Sequence, residues 1–390
     1  MPQPNADSLR FPPPRLPKET ESLRAEVRAF LADSFAEQAW HRNSDFGAGF
    51  SPEFTRKLAA KGWVGMTWQK KYGGQERSML ERYIVTEELL AAGAPVFAHW
   101  IADRQSGPLL LRFGSEAQCE AILPRITAGE CYFSIGMSEP DSGSDLASVR
   151  TRAERTPEGW RLNGAKVWTS NAHLNHFMIT LCRTGDSGAD RHGGLSQFLI
   201  DLKNDNVTIN PIINMLGGHE FNEVVFDDLE IPEDRLIGHE GDGWQQVTSE
   251  LAYERSGPER FLSNFHIFRA LTDAIGTSPD ARQAEGLGRL ASRLWTLRCM
   301  SLSVAAMLEA GESPEVEAAI VKELGNRFER DVVETARAIL PLQPSGPAGS
   351  NQSDFAAIMA EAILRLPSFT LRGGTTEIMR SIIARGLGLR

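Results

Sequence analysis

The spacing of hydrophobic positions changes twice along the chain. After a proline-rich lead, Leu23, Val27, Phe30 and Leu31 in "TESLRAEVRAFLADSF" fall on one helical face. "SPEFTRKLAAKGW" opens with the Ser-Pro pair that favours a helix start, "MLERYIVTEELLAAG" closes its helical run at Gly93, and "SEAQCEAILPRITAG" supplies a fourth helix. Near Tyr132 the period shortens. "YFSIGM", "GWRLNGAKVW", "HFMITLC", "LSQFLIDL", "NVTINPI" and "NEVVFDDLEI" have strand character, and Asn163-Gly164 between apolar runs predicts a hairpin turn. From Gly241 helical spacing returns in "GWQQVTSELAYER", "ARQAEGLGRLASRLWTLRCMSLSVAAMLEAG", "EVEAAIVKELGNRFERDVVETARAIL" and "FAAIMAEAILRL", with "PLQPSGPAGSNQS" as a loop. The order predicts an α+β chain: a helical domain over residues 1–130, a middle antiparallel β domain over 131–240 and a C-terminal helical bundle over 241–390.

Composition narrows the ligand. A chain of 390 residues can bury a large core, while a net charge of -10 and the lack of a basic run argue against nucleic acid as a partner. A small or cofactor-like ligand is expected instead. Cys119, Cys131, Cys182 and Cys299 form no CxxC pair, so neither a zinc site nor a disulfide framework is predicted, and a reducing, cytoplasmic setting is expected. The polar start and the lack of a long apolar run predict no membrane insertion. His173 and His176 in "NAHLNHF" have no third ligand nearby in sequence, and no metal is assigned.

Three stretches carry candidate chemistry. In "YFSIGMSEPDSGSDLAS" a strand feeds a loop whose hydroxyls and backbone amides, around Ser138, Gly143 and Ser144, can line a phosphate or a polar ring edge. "LNGAKVWTSNA" sets Trp168 beside Ser170, where an indole can stack on an aromatic cofactor or simply join a core. In "GWQQVTSELAYERSGPERF", Val247, Leu251, Glu254 and Pro258 follow one helical stripe, with no lysine or arginine three or four residues from Glu254. Pro258 cannot bond the carbonyl of Glu254, so a break is predicted there. A carboxylate on that stripe is suited to act as a general base, and the helix pattern alone leaves a distant salt bridge equally open. At the C-terminal end, "TLRGGTTEIMRSIIARG" offers a bare Gly373-Gly374 pair before a helix that Thr375 or Thr376 can cap.

Taken together, "MSEPDSGSD", "LNGAKVWTSNA", "FNEVVFDDLEIPEDRLIGHEGDGW" and "GGTTEIMRSIIARG" stand in the order and spacing of the acyl-CoA dehydrogenase family, which the chain resembles over nearly its whole length. The resemblance implies a helical N-terminal domain, a middle β-barrel, a C-terminal four-helix bundle and FAD as cofactor. It implies removal of the α-proton of an acyl-CoA thioester by a carboxylate and departure of the β-hydrogen as hydride to flavin N5, giving a trans-2-enoyl-CoA. An electron-transfer flavoprotein is the implied acceptor. By the same resemblance Met137 and Ser138 meet the flavin ring, Ser144 lies near the pyrophosphate and the CoA arm with Gly143 in the same cofactor-binding loop, Trp168 packs along the isoalloxazine, Ser170 bonds near N5, and Thr375 and Glu377 touch the adenosine half.

Most members of the family carry the base in a Tyr-Glu-Gly-Thr string, where this chain has Arg372, Gly373, Gly374 and Thr375. A minority, isovaleryl-CoA dehydrogenase among them, carries it in an "ER" pair after the barrel. The match implies Glu254 as base, Arg255 as its support, and the Gly373 amide as a donor to the thioester oxygen. The family's Arg-x-x-Phe-Gly string has only Arg282 as a weak counterpart, and its QxxGGxG string is replaced by "LPLQPSGPAG". A homodimer or homotetramer is expected; because both strings serve cofactor binding across subunits, their departure leaves a heteromer as the alternative. A flavin oxidase or monooxygenase on the same fold, or a non-catalytic subunit, are the competing functions.

Overall fold

The computed structural model describes residues 9–13, 15–37, 49–186, 188, 190–254, 256–340 and 355–389, without the side chains of 250–254. The start of the proline-rich lead, Arg255 and the whole 341–353 loop lie outside the described residues. The helices are α1 (Glu19–Glu37), α2 (Pro52–Ala60), α3 (Met79–Ala92), α4 (Phe97–Ile101), α5 (Gly107–Phe113), α6 (Glu116–Thr127), α7 (Gly243–Glu254), α8 (Phe265–Ile275), α9 (Ala281–Glu309), α10 (Glu315–Ile339), α11 (Phe355–Arg365) and α12 (Thr376–Gly386). The strands are β1 (Phe133–Gly136), β2 (Arg152–Thr156), β3 (Gly159–Ser170), β4 (Phe177–Arg183), β5 (Leu195–Asp201), β6 (Val207–Ile213), β7 (His219–Pro232) and β8 (Leu236–Ile237). No helix among the described residues is long and apolar enough to cross a membrane.

Local chemistry sets the helix ends. Ser51 accepts from the Phe54 amide with Pro52 at the first helical position of α2. Ser78 with Glu81, Ser115 with Gln118, and Asp280 with Gln283 close reciprocal capping boxes on α3, α6 and α9. Gly93 ends α3 in the left-handed region, as its sequence position predicts. Beyond Glu254 the helix stops, and Pro258–Arg260 forms a separate buried 3-10 turn, which is the break that Pro258 imposes.

The described chain divides into two compact units. One gathers α1, α3 and the chain from Glu254 onward; the other takes Phe50–Glu76 and Val96–Tyr253. In the first unit, Glu87 and Glu88 of α3 are buried and paired with Arg24 and Arg28 of α1 and Arg298 of α9, so charges as well as apolar contacts join these helices. Breaking a buried pair leaves an uncompensated charge, which makes this seam intolerant of single neutral substitutions.

The second unit is built on one sheet in the order β6-β7-β3-β2-β4-β5-β8, with β1 against β4. This corrects the expected antiparallel β-barrel: the sheet is mixed and open. Phe133 to Gly136 run parallel to Phe177 to Thr180, and β2 meets β4 in parallel at Arg152 and Arg183. Strand spacing along a sequence reports how many strands exist but not which direction neighbours run. The core beneath the sheet holds Trp160, Leu162, Met178, Phe198, Ile200, Val224 and Phe226.

The hairpin expected at Asn163-Gly164 is also corrected. Both residues lie inside β3, and the β2–β3 turn falls earlier, between Thr156 and Gly159. Gly164 is there because a Cβ would meet the Thr151 backbone Cα at 2.7 Å with φ at +140°. A close backbone approach and a turn both select glycine, and the dipeptide signal does not separate them.

Candidate active site

In the sheet unit, the loop after β1 and the end of β3 bring together the residues expected at a flavin. The loop closes through a tight turn in which Glu139 and Ser142 exchange backbone hydrogen bonds of 2.7 and 3.1 Å. The Val167 amide donates to the Ser138 carbonyl at 2.9 Å, placing Met137 and Ser138 alongside the segment that carries Trp168. Met137 packs on a core of Val149, Leu181, Leu195 and Val247, so the apolar stripe of α7 does face inward at its first position. Gly143 and Ser144 are exposed, with open space around Gly143.

Trp168 sits where the β3–β7 register shifts, between Lys166 and Thr169, and adopts φ +61°. A non-glycine residue there carries backbone strain. Its indole is 60% exposed and meets Phe221 edge-on at 6.1 Å. Strain that presents a large apolar ring to solvent fits a planar ligand better than it fits a core role. The hydroxyls of Ser138 and Ser170 bond to no described residue, although the Ser170 carbonyl accepts from Ser134 Oγ at 2.9 Å. A flat apolar surface flanked by two unengaged hydroxyls suits an isoalloxazine ring.

Two networks hold this surface in place. Lys166 is wholly buried and donates from Nζ to Glu139 Oε1 at 2.8 Å and to the Met137 carbonyl at 3.2 Å. Glu139 also accepts from the Arg150 and Thr151 amides at 2.7 and 2.8 Å. Burial alone would raise the Glu139 carboxyl, yet the Lys166 charge and these donors hold it below its ordinary value. On the other side, Asn222 Nδ2 donates to the Thr169 carbonyl at 3.0 Å, while its Oδ1 takes His219 Nε2 at 2.7 Å and His173 Nδ1 at 3.2 Å. The two imidazoles stack at 3.8 Å. Burial, then the neighbouring His219, lowers the His173 pKa. His176 instead takes the Tyr132 amide at 3.1 Å, so the two histidines of "NAHLNHF" serve separate contacts.

In the helical unit, Gly373 and Gly374 have φ of +62° and +92°, both in the region glycine favours. Thr375 caps α12, accepting from the Ile378 amide at 3.4 Å. The Glu377 carboxyl in the first turn is held low, first by its own amide and then by the Thr375 hydroxyl. Arg372 donates to Ser263 Oγ at 2.7 Å and Glu329 Oε2 at 3.0 Å, and Ser263 in turn donates to Glu329. Lys322 Nζ donates to the Arg372 carbonyl at 2.7 Å. The Gly373 N–H donates to no described residue.

Glu254 is the last residue of α7, and its side chain is outside the described set, as is Arg255. The segment that follows is fixed: Ser256 gives its carbonyl to Ser301 Oγ, and Gly325 of α10 lets the Arg260 carbonyl approach where a Cβ would stand 2.2 Å from it. Arg282 lies exposed in the first turn of α9. Sequence reasoning missed Lys166, Glu139, Lys322 and Glu329. Their signal was present: Lys166 is in phase with Trp160 and Leu162 along β3, and Lys322 and Glu329 lie seven apart on the apolar face of α10 with Val321, Gly325 and Phe328.

Comparison with known proteins identifies the family. Models of the N-terminal, middle and C-terminal domains of acyl-CoA dehydrogenase match residues 17–130, 134–229 and 269–388. Acyl-CoA dehydrogenase IpdE1 of Mycobacterium tuberculosis is 34% identical, over 95% of this chain and 98% of that protein. Among solved structures, the Tcur3481-Tcur3483 steroid ACAD superposes with a TM-score of 0.86 at 28% identity, covering 96% of this chain and 98% of that one. The ChsE4-ChsE5 complex from Mycobacterium tuberculosis gives 0.81 at 25% identity, covering 98% and 100%. The chain belongs to the acyl-CoA dehydrogenase family, whose members are FAD-dependent oxidoreductases.

Proposed function

We propose that this chain binds FAD and dehydrogenates an acyl-CoA thioester between its α and β carbons, with Glu254 as the base that takes the α-proton. The observation that carries the choice of base is the Gly373-Gly374 turn. It offers no acid, and its left-handed backbone disfavours a side chain at either position. Helix α7 ends on a glutamate instead, with Arg255 beside it as support. Bound FAD supplies the acceptor for the β-hydrogen and its electron pair. Trp168 would lie along the ring, with Met137 and Ser138 at its edge and Ser170 near its reactive nitrogen. Gly143 and Ser144 are assigned to the pyrophosphate region, and Thr375 and Glu377 to the adenosine half.

An α-proton is weakly acidic, so its removal needs the thioester oxygen stabilised as negative charge develops. The unengaged Gly373 N–H is the donor we assign. Electrons would leave to an electron-transfer flavoprotein.

A heteromeric assembly is the second reading. It is favoured by the replacement of the Gly-rich string at "LPLQPSGPAG" and by the paired-chain names of the two structural relatives above, Tcur3481-Tcur3483 and ChsE4-ChsE5. The exposed Arg282 is the residue here for a neighbour's cofactor.

The test is anaerobic: FAD-loaded protein is mixed with butyryl-CoA, isovaleryl-CoA and a steroid-bearing acyl-CoA while flavin absorbance is followed. Bleaching by at least one supports dehydrogenation. A flavin that stays oxidised with all three, alone and after co-expression with a partner chain, contradicts it. A reduced flavin that reoxidises rapidly in air with peroxide release indicates the oxidase alternative.

A further inference from the structure

Lys322 and Gly373 act on the same peptide group from opposite sides. Lys322 is wholly buried on α10, with its Nζ 2.7 Å from the carbonyl oxygen of Arg372. That carbonyl and the Gly373 N–H belong to one trans peptide, in which C=O and N–H point in opposite directions. The carbonyl accepts from the Lys322 Nζ while the N–H donates to no described residue. A hydrogen bond to the oxygen draws electron density from the amide and makes its hydrogen a stronger donor.

The surroundings keep this arrangement rigid. Arg372 is held by Glu329, itself wholly buried, and by Ser263, while Asn264 Nδ2 grips the Glu329 carbonyl at 2.7 Å. The turn is thus tied through backbone and side chain to α10 and to the segment before α8. Its two glycines adopt the left-handed φ values that the turn requires.

We propose that Lys322 is a positioning residue for the reaction: it orients and polarises the Arg372–Gly373 peptide so that the Gly373 N–H stabilises the thioester oxygen as the α-proton leaves. This rests on the dehydrogenase reading above. The proton goes to Glu254, and Lys322 takes no part in its transfer.

The test compares the FAD-loaded wild type with Lys322→Met and Lys322→Gln. Two rates are read with whichever of the three acyl-CoA probes bleaches the wild-type flavin: anaerobic flavin reduction, and exchange of the probe's α-protons into deuterated water by NMR. Lys322→Met is expected to lose at least thirtyfold in both, with acyl-CoA and FAD affinities within threefold of wild type. Lys322→Gln, which still offers a neutral N–H to the carbonyl, should fall between. A merely structural lysine would lower stability in both variants without this ranking. Equal rates in wild type and a folded Lys322→Met would overturn the proposal, and if Lys322→Met does not fold, a wild-type rate in Lys322→Gln does so. Failure of the wild type itself to respond to any probe counts against the dehydrogenase reading and not against Lys322 specifically.

Discussion

Lys166 and Glu139 form a buried ion pair that fastens the loop after β1 to the strained end of β3. The lysine reaches the carboxylate and the Met137 carbonyl at once, so this side chain and the Val167–Ser138 backbone hydrogen bond together tie the Met137–Ser138 edge to the segment carrying the exposed Trp168. Both partners are buried, and removing either alone strands a charge.

Lys166→Met is therefore expected to destabilise the protein by about 3–5 kcal/mol, and Glu139→Met/Lys166→Met to recover much of that loss. The pH dependence follows from the depressed Glu139 pKa. Its contribution is fully present above the unfolded carboxyl value and is lost as pH falls through the lower folded value. The stability gap between wild type and Glu139→Gln should thus be widest near neutrality and shrink in acid. Urea unfolding across pH checks this; a gap that stays constant or widens as pH falls would contradict the pairing.

Trp168 separates stability from binding. Trp168→Gly relieves a left-handed backbone worth about 1–2 kcal/mol, which offsets the lost contact with Phe221. Melting temperature is expected to hold or rise while FAD affinity falls at least tenfold. A variant that loses stability but binds FAD as before would show that the indole is part of the core.

Much of this was legible in the sequence, and the failures have a common cause. Helix ends announced themselves through local chemistry, at Ser51-Pro52, Gly93 and Pro258. The site loop, Trp168 and the Gly373-Gly374 turn stood out because their residue types suit a site. Strand direction did not, because β1 pairs with β4 in parallel across the long stretch of chain that holds β2 and β3. Gly164 misled because proximity to Thr151, a tertiary fact, selects the same residue as a turn. Lys166 and Lys322 were overlooked because a lysine in an amphipathic pattern is ordinarily solvated, so their phase with the buried residues of β3 and α10 was passed over.

The reassignment of Gly164 is itself testable. In a hairpin turn Asn would replace it at little cost, whereas inside β3 any Cβ collides with Thr151. Gly164→Ala and Gly164→Asn should both destabilise, each by about 1–3 kcal/mol or more. Denaturant midpoints equal to wild type for Gly164→Asn would restore the hairpin.

The identity of the base is decided by one measurement, the anaerobic rate of flavin reduction by an acyl-CoA that reduces the wild type, repeated with Glu254→Gln. The amide keeps the shape and removes the proton acceptor, so FAD content and acyl-CoA binding should persist while the rate falls at least a hundredfold, about 2.7 kcal/mol in the barrier. Reduction of Glu254→Gln within tenfold of the wild-type rate would contradict the account and turn the search for the base to Glu377, the acid nearest in sequence to the Gly373-Gly374 turn.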